Sequence, residues 1–202
     1  MPDNLPTEID FLDCRIRWNN STLLPRVETE FLPEHALPYL ESGKVAWDIC
    51  CGTGCIGLAI KKLMPSLHVT LSDIEPRAAA LAKSNAELNN LDVTVLCGDL
   101  FEPFTGRCDY LFCNPPYVTE LEYGALEPSV LNNEPKLALV SGPSGLEFYK
   151  RIQKEMGPYL NQNAKLFFEI GTGQGPALQK IFGSGQVIQD LAGHDRYFIL
   201  VT

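Results

Sequence analysis

From Val45 to Cys113 the chain alternates short apolar runs with helical stretches, and this pattern constrains the fold more than anything else in the sequence. Val45–Cys50 reads as a strand, and the glycine-rich Cys51–Gly57 as a turn opening a helix that runs to about Met64. His68–Ser72 is a second strand that ends at Asp73. Pro76 suits the first turn of the helix Arg77–Leu88, which Asn89-Asn90 closes. Val93–Cys97 and Tyr110–Cys113 are the third and fourth strands. Repeated βα units predict a parallel, doubly wound sheet covered by helices on both faces. Further on, Ser144–Glu155 is an amphipathic helix and Ala164–Ile170 a fifth strand. Gly171–Gly175 turns into a short helix. Gln186–Asp190 and Tyr197–Val201, joined through Gly193-His194-Asp195, are expected to add an antiparallel edge.

Outside this alternation the signals are weaker. Ile9–Asp13 and Cys14–Trp18 alternate apolar and polar residues, and Asn19-Asn20 suits the turn of a short hairpin. Residues 1–22 are therefore read as an N-terminal hairpin extension and 23–202 as the main domain. Leu23–Glu30 is a loop entering a helix near Glu28. Residues 118–143 are irregular and proline-containing, a flap over the strand ends.

In an open parallel sheet, ligands bind outside the carboxyl ends of the strands. Four signals fall there in consecutive βα units. Gly52-x-Gly54-x-x-Gly57 lets a ligand approach the backbone closely, and Asp73, about twenty residues on, suits ribose hydroxyls. Asp99 after the third strand suits an adenine edge or, equally, a turn or helix cap. Asp48 lies inside an apolar strand and needs donors, either loop N–H groups or a ligand ammonium.

The fourth strand runs into Asn114-Pro115-Pro116-Tyr117. Neither proline has an N–H, so pairing stops and a row of acceptors remains: the Asn114 side-chain oxygen and backbone carbonyls. Two acceptors can take both hydrogens of a planar –NH2 group and turn its nitrogen lone pair toward an electrophile. Tyr117 offers an aromatic face for a flat group. Nothing after the glycine motif signals hydride chemistry, whereas methyl transfer from S-adenosylmethionine explains both halves of the pattern.

Several classes are disfavoured by composition. A net charge of −9 with no Lys/Arg run beyond two residues argues against a standalone nucleic-acid binder. No segment approaches a membrane span, and the acidic, proline-broken N-terminus resembles no signal or transit peptide. The seven cysteines are an odd set without paired CxxC spacing, so neither a metal site nor a disulfide framework is expected, and a reduced, cytoplasmic setting fits.

Asp48-x-x-x-Gly52-x-Gly54, Asp73, Gly98-Asp99 and the NPPY stretch resemble a class I S-adenosylmethionine-dependent amino-methyltransferase. Leu23-Leu-Pro-Arg-Val-Glu-Thr-Glu30, Asn133–Leu139 followed by Ser144–Tyr149, Phe168-Glu-Ile-Gly171 and Gly193-x-Asp-Arg196 narrow the resemblance to the HemK family of release-factor glutamine methyltransferases. That family implies methylation of the glutamine amide in a peptide chain release factor's Gly-Gly-Gln loop. By position, Asn114, Pro115, Pro116 and Tyr117 would be the catalytic residues. Asp48, Cys50, Cys51, Gly52, Thr53, Gly54, Asp73, Asp99, Leu100 and Asn114 would hold S-adenosylmethionine, with Arg26 and Glu28 bracing the site. The sequence departs from the family pattern at Cys50, where the family has glycine, and at Val27, where it has proline. The family's N-terminal helical domain has no counterpart in it. The resemblance then implies weak substrate docking, an accessory partner in place of that domain, or a different substrate. Two rivals stand: an N-methyltransferase acting on the exocyclic amine of adenine or guanine in DNA or RNA, and a non-catalytic binding module on the same fold.

Overall fold

A computed structural model describes residues 7–202. The elements follow in order: β1 (Thr7–Phe11), β2 (Cys14–Trp18), α1 (Val27–Ala36), β3 (Val45–Ile49), α2 (Cys55–Leu63), β4 (His68–Asp73), α3 (Pro76–Leu88), β5 (Thr94–Cys97) and β6 (Cys108–Cys113). Then come α4 (Glu120–Tyr123), α5 (Pro128–Asn133), α6 (Glu147–Glu155), β7 (Leu160–Glu169), α7 (Gly175–Phe182), β8 (Gln186–Gln189) and β9 (Asp195–Val201).

Seven strands form one sheet in the order β5-β4-β3-β6-β7-β9-β8. Pairs from β5 through β7 are parallel, while β9 pairs antiparallel with both β7 and β8. The chain winds outward from β3 to β5, then crosses back to β6 and winds the other way. The switch point lies between β3 and β6, where the carboxyl ends leave a crevice. Hydrophobic side chains fill both faces. Leu58, Leu71, Phe112 and Phe167 pack beneath α1–α3, and Trp47, Leu111, Phe168 and Phe198 beneath α6 and α7. Phe168 is fully buried among Tyr149, Phe182 and Phe198, so truncation to alanine costs about 3–5 kcal/mol.

The N-terminal hairpin forms, but its turn is Leu12-Asp13, both with positive φ (42° and 63°), rather than Asn19-Asn20. These angles give the right-handed twist that two-residue hairpins need. Asn19 makes the next bend instead, accepting from the Ser21 N–H at 2.9 Å. Phe11, Cys14 and Ile16 sit in the same core as α2 and α3. Asn85 of α3, fully buried, bonds both the N–H and the C=O of Arg17 at 2.9 Å, and its amide also reaches the Thr53 carbonyl at 2.9 Å. The hairpin, α3 and the glycine-rich turn are thus tied through one side chain.

Candidate active site

The glycine-rich turn is built by its backbone angles. Cys50, Gly52 and Gly54 all have positive φ (56°, 54° and 81°). A Cβ at Gly54 would stand 2.9 Å from Leu71 and 3.1 Å from Ala82, so only glycine fits. A Cβ at Gly52 would meet nothing nearer than Thr22 at 4.0 Å, because this stretch of backbone faces open cavity. Cys50 keeps the left-handed angle that the glycine would supply. The strain is about 1–2 kcal/mol.

Asp73 closes the turn from β4. Its Oδ2 accepts the Gly52 N–H at 2.8 Å and its Oδ1 the Glu75 N–H at 2.9 Å, which leaves each oxygen a further lone pair. Burial raises its pKa above the ordinary carboxylate value, against the lowering effect of those two N–H groups. Asp48 stands behind the turn. Its Oδ2 accepts the Gly57 N–H at 2.8 Å, its Oδ1 has no hydrogen-bond partner, and burial raises its pKa to about 7.

These residues meet at a cavity of about 500 Å³ over the crevice. Cys50, Cys51, Gly52 and Thr53 line it from the turn, and Asp73 from β4. Asp99 and Leu100 line it beyond β5, and Asn114 and Pro116 at the end of β6. Asp48, Gly54, Pro115 and Tyr117 are not in its wall. Asp48 is held from behind by the loop backbone, through the Gly57 N–H. Gly54 shapes the turn through packing. Asp99 is gripped by Arg151 of α6, Nη1 to Oδ1 at 3.2 Å and Nη2 to Oδ2 at 2.9 Å.

Beyond Asn114 the supporting contacts are long-range. The Tyr117 hydroxyl faces Glu169 Oε1 at 3.4 Å, and Thr29 Oγ1 donates to Glu169 Oε2 at 2.7 Å. Tyr149 donates to the Glu169 carbonyl at 2.8 Å. Arg26 pairs with buried Glu134, which fastens the entry to α1 against residues 118–143. That segment is not featureless: it carries α4, α5 and a bridge between Val118 and Val140, and it places Pro135, Leu137 and Ala138 in the cavity wall. Arg26 thus ties the entry of α1 to this segment, while Glu28 contributes its carbonyl, which accepts the Tyr197 hydroxyl at 2.6 Å. Thr29, Glu169, Glu134, Asn85 and Arg151 support the cavity through contacts that the sequence does not signal. The PRVETE and FEIG segments that hold Thr29 and Glu169 were visible, but not that they meet.

A glycine turn after the first sheet strand, an acid ending the next and an acceptor-rich NPPY at the switch point together define a class I methyltransferase. Residues 27–138 match the Methyltransferase small domain family. The chain is 43% identical over 98% of its length to the release factor glutamine methyltransferase of Chlamydia trachomatis serovar D, covering 72% of that protein. To that of Thermodesulfovibrio yellowstonii it is 38% identical, with 96% and 73% covered. The chain belongs to the release factor glutamine methyltransferase family. Its fold is shared with a methyltransferase from Pyrococcus furiosus (TM-score 0.69, 20% identity, 92% of this chain and 88% of that one). It is shared too with a T. thermophilus 16S rRNA methyltransferase solved with AdoMet and guanosine (TM-score 0.70, 15% identity, 98% and 50% covered).

Proposed function

We propose that this chain methylates the side-chain amide nitrogen of a glutamine in the Gly-Gly-Gln loop of a peptide chain release factor, with S-adenosylmethionine as methyl donor, and so acts in translation termination. The observation that carries this reading is the placement of Asn114 and Pro116 in the wall of the same cavity as the glycine turn and Asp73. When bound, S-adenosylmethionine supplies an electrophilic methyl group on a positively charged sulfur. The residues present fit it: the Gly52 backbone faces open space, and Asp73 keeps a free lone pair on each oxygen for ribose hydroxyls. Thr53 and the Asp99-Leu100 turn complete that end, and Asn85 holds Thr53 to the N-terminal hairpin.

At the acceptor end, this reading gives the two amide hydrogens to Asn114 Oδ1 in the cavity wall and to the Pro115 carbonyl just behind it. Holding both draws the nitrogen out of conjugation with its carbonyl and aims its lone pair. Pro116 keeps the turn rigid through its fixed φ, and Tyr117, outside the wall, turns its hydroxyl toward Glu169. No base is needed before attack. Among the described residues no helix is long and apolar enough to cross a membrane, and the reading places the chain in the cytoplasm with its substrate.

The test is transfer of labelled methyl from S-adenosylmethionine to a purified release factor, beside a Gln→Ala form of its Gly-Gly-Gln loop and an oligonucleotide set. Label on the wild-type factor alone is the expected result. Label on nucleic acid alone moves the assignment to a nucleobase amine, and label on neither points to an accessory partner.

A further inference from the structure

Methylating an amide releases a proton, and neither Asn114 nor the Pro115 carbonyl is basic enough to keep it. β6 and β7 run parallel with Cys113 level with Phe168. The next residues, Asn114 and Glu169, therefore stand side by side at the strand ends, about one strand spacing (~4.8 Å) apart. Glu169 is 2% exposed. It forms no ion pair within 4.0 Å among the described residues: Arg196, the cation facing it from β9, is paired with Asp190 at 3.3 Å. Hydroxyls meet its carboxylate instead, Thr29 Oγ1 at 2.7 Å and the Tyr117 hydroxyl at 3.4 Å. Thr29, whose hydroxyl donates to the carboxylate, also lines the cavity, which Glu169 itself does not. A buried carboxylate without a charged partner is costly to keep for structure alone. The other titratable groups around it are Glu28 of α1, Cys55 of α2, Tyr149 of α6 and Tyr197 of β9.

We propose that Glu169 is the proton acceptor of the methyl transfer, reached through the Thr29 hydroxyl. The proposal rests on the amide-methylation reading. As the amide nitrogen lone pair forms the new N–C bond, the methyl–sulfur bond breaks and its electron pair stays on sulfur. One N–H of the now positively charged nitrogen leaves its acceptor at Asn114 or Pro115 and gives its proton to Thr29 Oγ1, which passes its own proton to Oε2 of Glu169. The carboxylate becomes a neutral acid, and the proton returns to water when product leaves. Burial raises the pKa of this carboxyl and so favours the protonated product of the step. The carboxylate also stabilises positive charge as it moves toward the acceptor nitrogen.

Glu169→Gln keeps the side-chain shape and an oxygen able to accept from Thr29. The expected result is a kcat on release factor lowered about 10²-fold, with calorimetric affinity for S-adenosylmethionine within about threefold of wild type. Because the base must be ionised, wild-type kcat rises with pH through the raised pKa of Glu169, and E169Q lacks that acid limb. Thr29→Val shows the same loss and Thr29→Ser retains activity, while thermal melts establish that each variant folds. Difference infrared titration of the ligand-free protein shows a carboxylic-acid band that E169Q removes. Wild-type kcat in E169Q, or an unchanged acid limb, overturns the proposal, the limb then belonging to another group such as Asp48. An infrared titration in which E169Q loses none of the wild-type carboxylic-acid bands, those of Asp48 and Asp73 included, overturns it whatever the acceptor proves to be. Failure of the wild type to methylate any release factor strikes the parent reading instead.

Discussion

The two halves of the cavity are built by different means. On the β3–β4–β5 side the acids that shape the glycine turn are held by short-range backbone donors, Gly57 to Asp48 across nine residues and Gly52 to Asp73 across twenty-one, while Arg151 to Asp99 across 52 and Asn85 to Arg17 across 68 add longer ties. On the β6–β7 side the main contacts join side chains far apart in sequence: Thr29 to Glu169 across 140 residues, Arg26 to Glu134 across 108 and Tyr117 to Glu169 across 52. The first half grips a small, constant ligand, which a turn of fixed backbone geometry can do alone. The second must hold the segment 118–143 and a turn of two prolines in place against an incoming protein. Buried charged and hydroxyl side chains perform that bracing.

The comparison is broken most strongly by Arg26→Ala. It leaves Glu134, whose Oε2 already lacks a partner, as an unpaired buried carboxylate. The expected loss is about 3 kcal/mol in denaturant unfolding, the low end for a broken buried pair because Arg26 is half-buried. KM for the release factor rises, while calorimetric affinity for S-adenosylmethionine stays within a few fold. Equal losses at both ends would show that the halves are one unit.

Asp48 sharpens the contrast through pH. Its folded pKa, about 7, lies above the ordinary value of 3.8. Its stabilising contribution is therefore complete below pH 3.8 and is lost as pH rises through about 7. Relative to Asp48→Asn, wild type loses on the order of 2 kcal/mol between pH 5 and 8, read from paired thermal melts. S-adenosylmethionine affinity depends on Asp48 only through the turn, so it follows the same pH trend. The smallest expected effect is at Cys50→Gly. Removing the left-handed strain outweighs the extra chain entropy of glycine by no more than about 1 kcal/mol, measured as a slight rise in midpoint.

The same division explains what the sequence made legible. The βα alternation, the strand-end acids and the antiparallel edge follow from periodicity and punctuation, which are local. The hairpin turn is hidden in sequence because Leu12-Asp13 takes positive φ without glycine or asparagine, while Asn19-Asn20 looks like turn chemistry but bends the chain out of β2. β7 begins at Leu160 rather than Ala164 because polar Asn161-Gln162-Asn163, with Asn163 at φ 62°, hides the start of the strand. Loop N–H and ligand ammonium are equivalent donors for Asp48 in sequence, and only the folded turn shows that the Gly57 N–H supplies one of them. The acceptor half resisted reading because it depends on which α1 hydroxyl meets which β7 carboxylate, a matter of tertiary contact. Its residues lay in segments that stood out only by resemblance.

The most direct test of this division is Asn114→Ala, assayed for both ligands. The account predicts calorimetric affinity for S-adenosylmethionine within about threefold of wild type and turnover on release factor lowered about 10²–10³-fold, the cost of removing one positioned hydrogen-bonding group at a reacting centre. Wild-type turnover, or a loss of cofactor affinity as large as the loss of turnover, would contradict it.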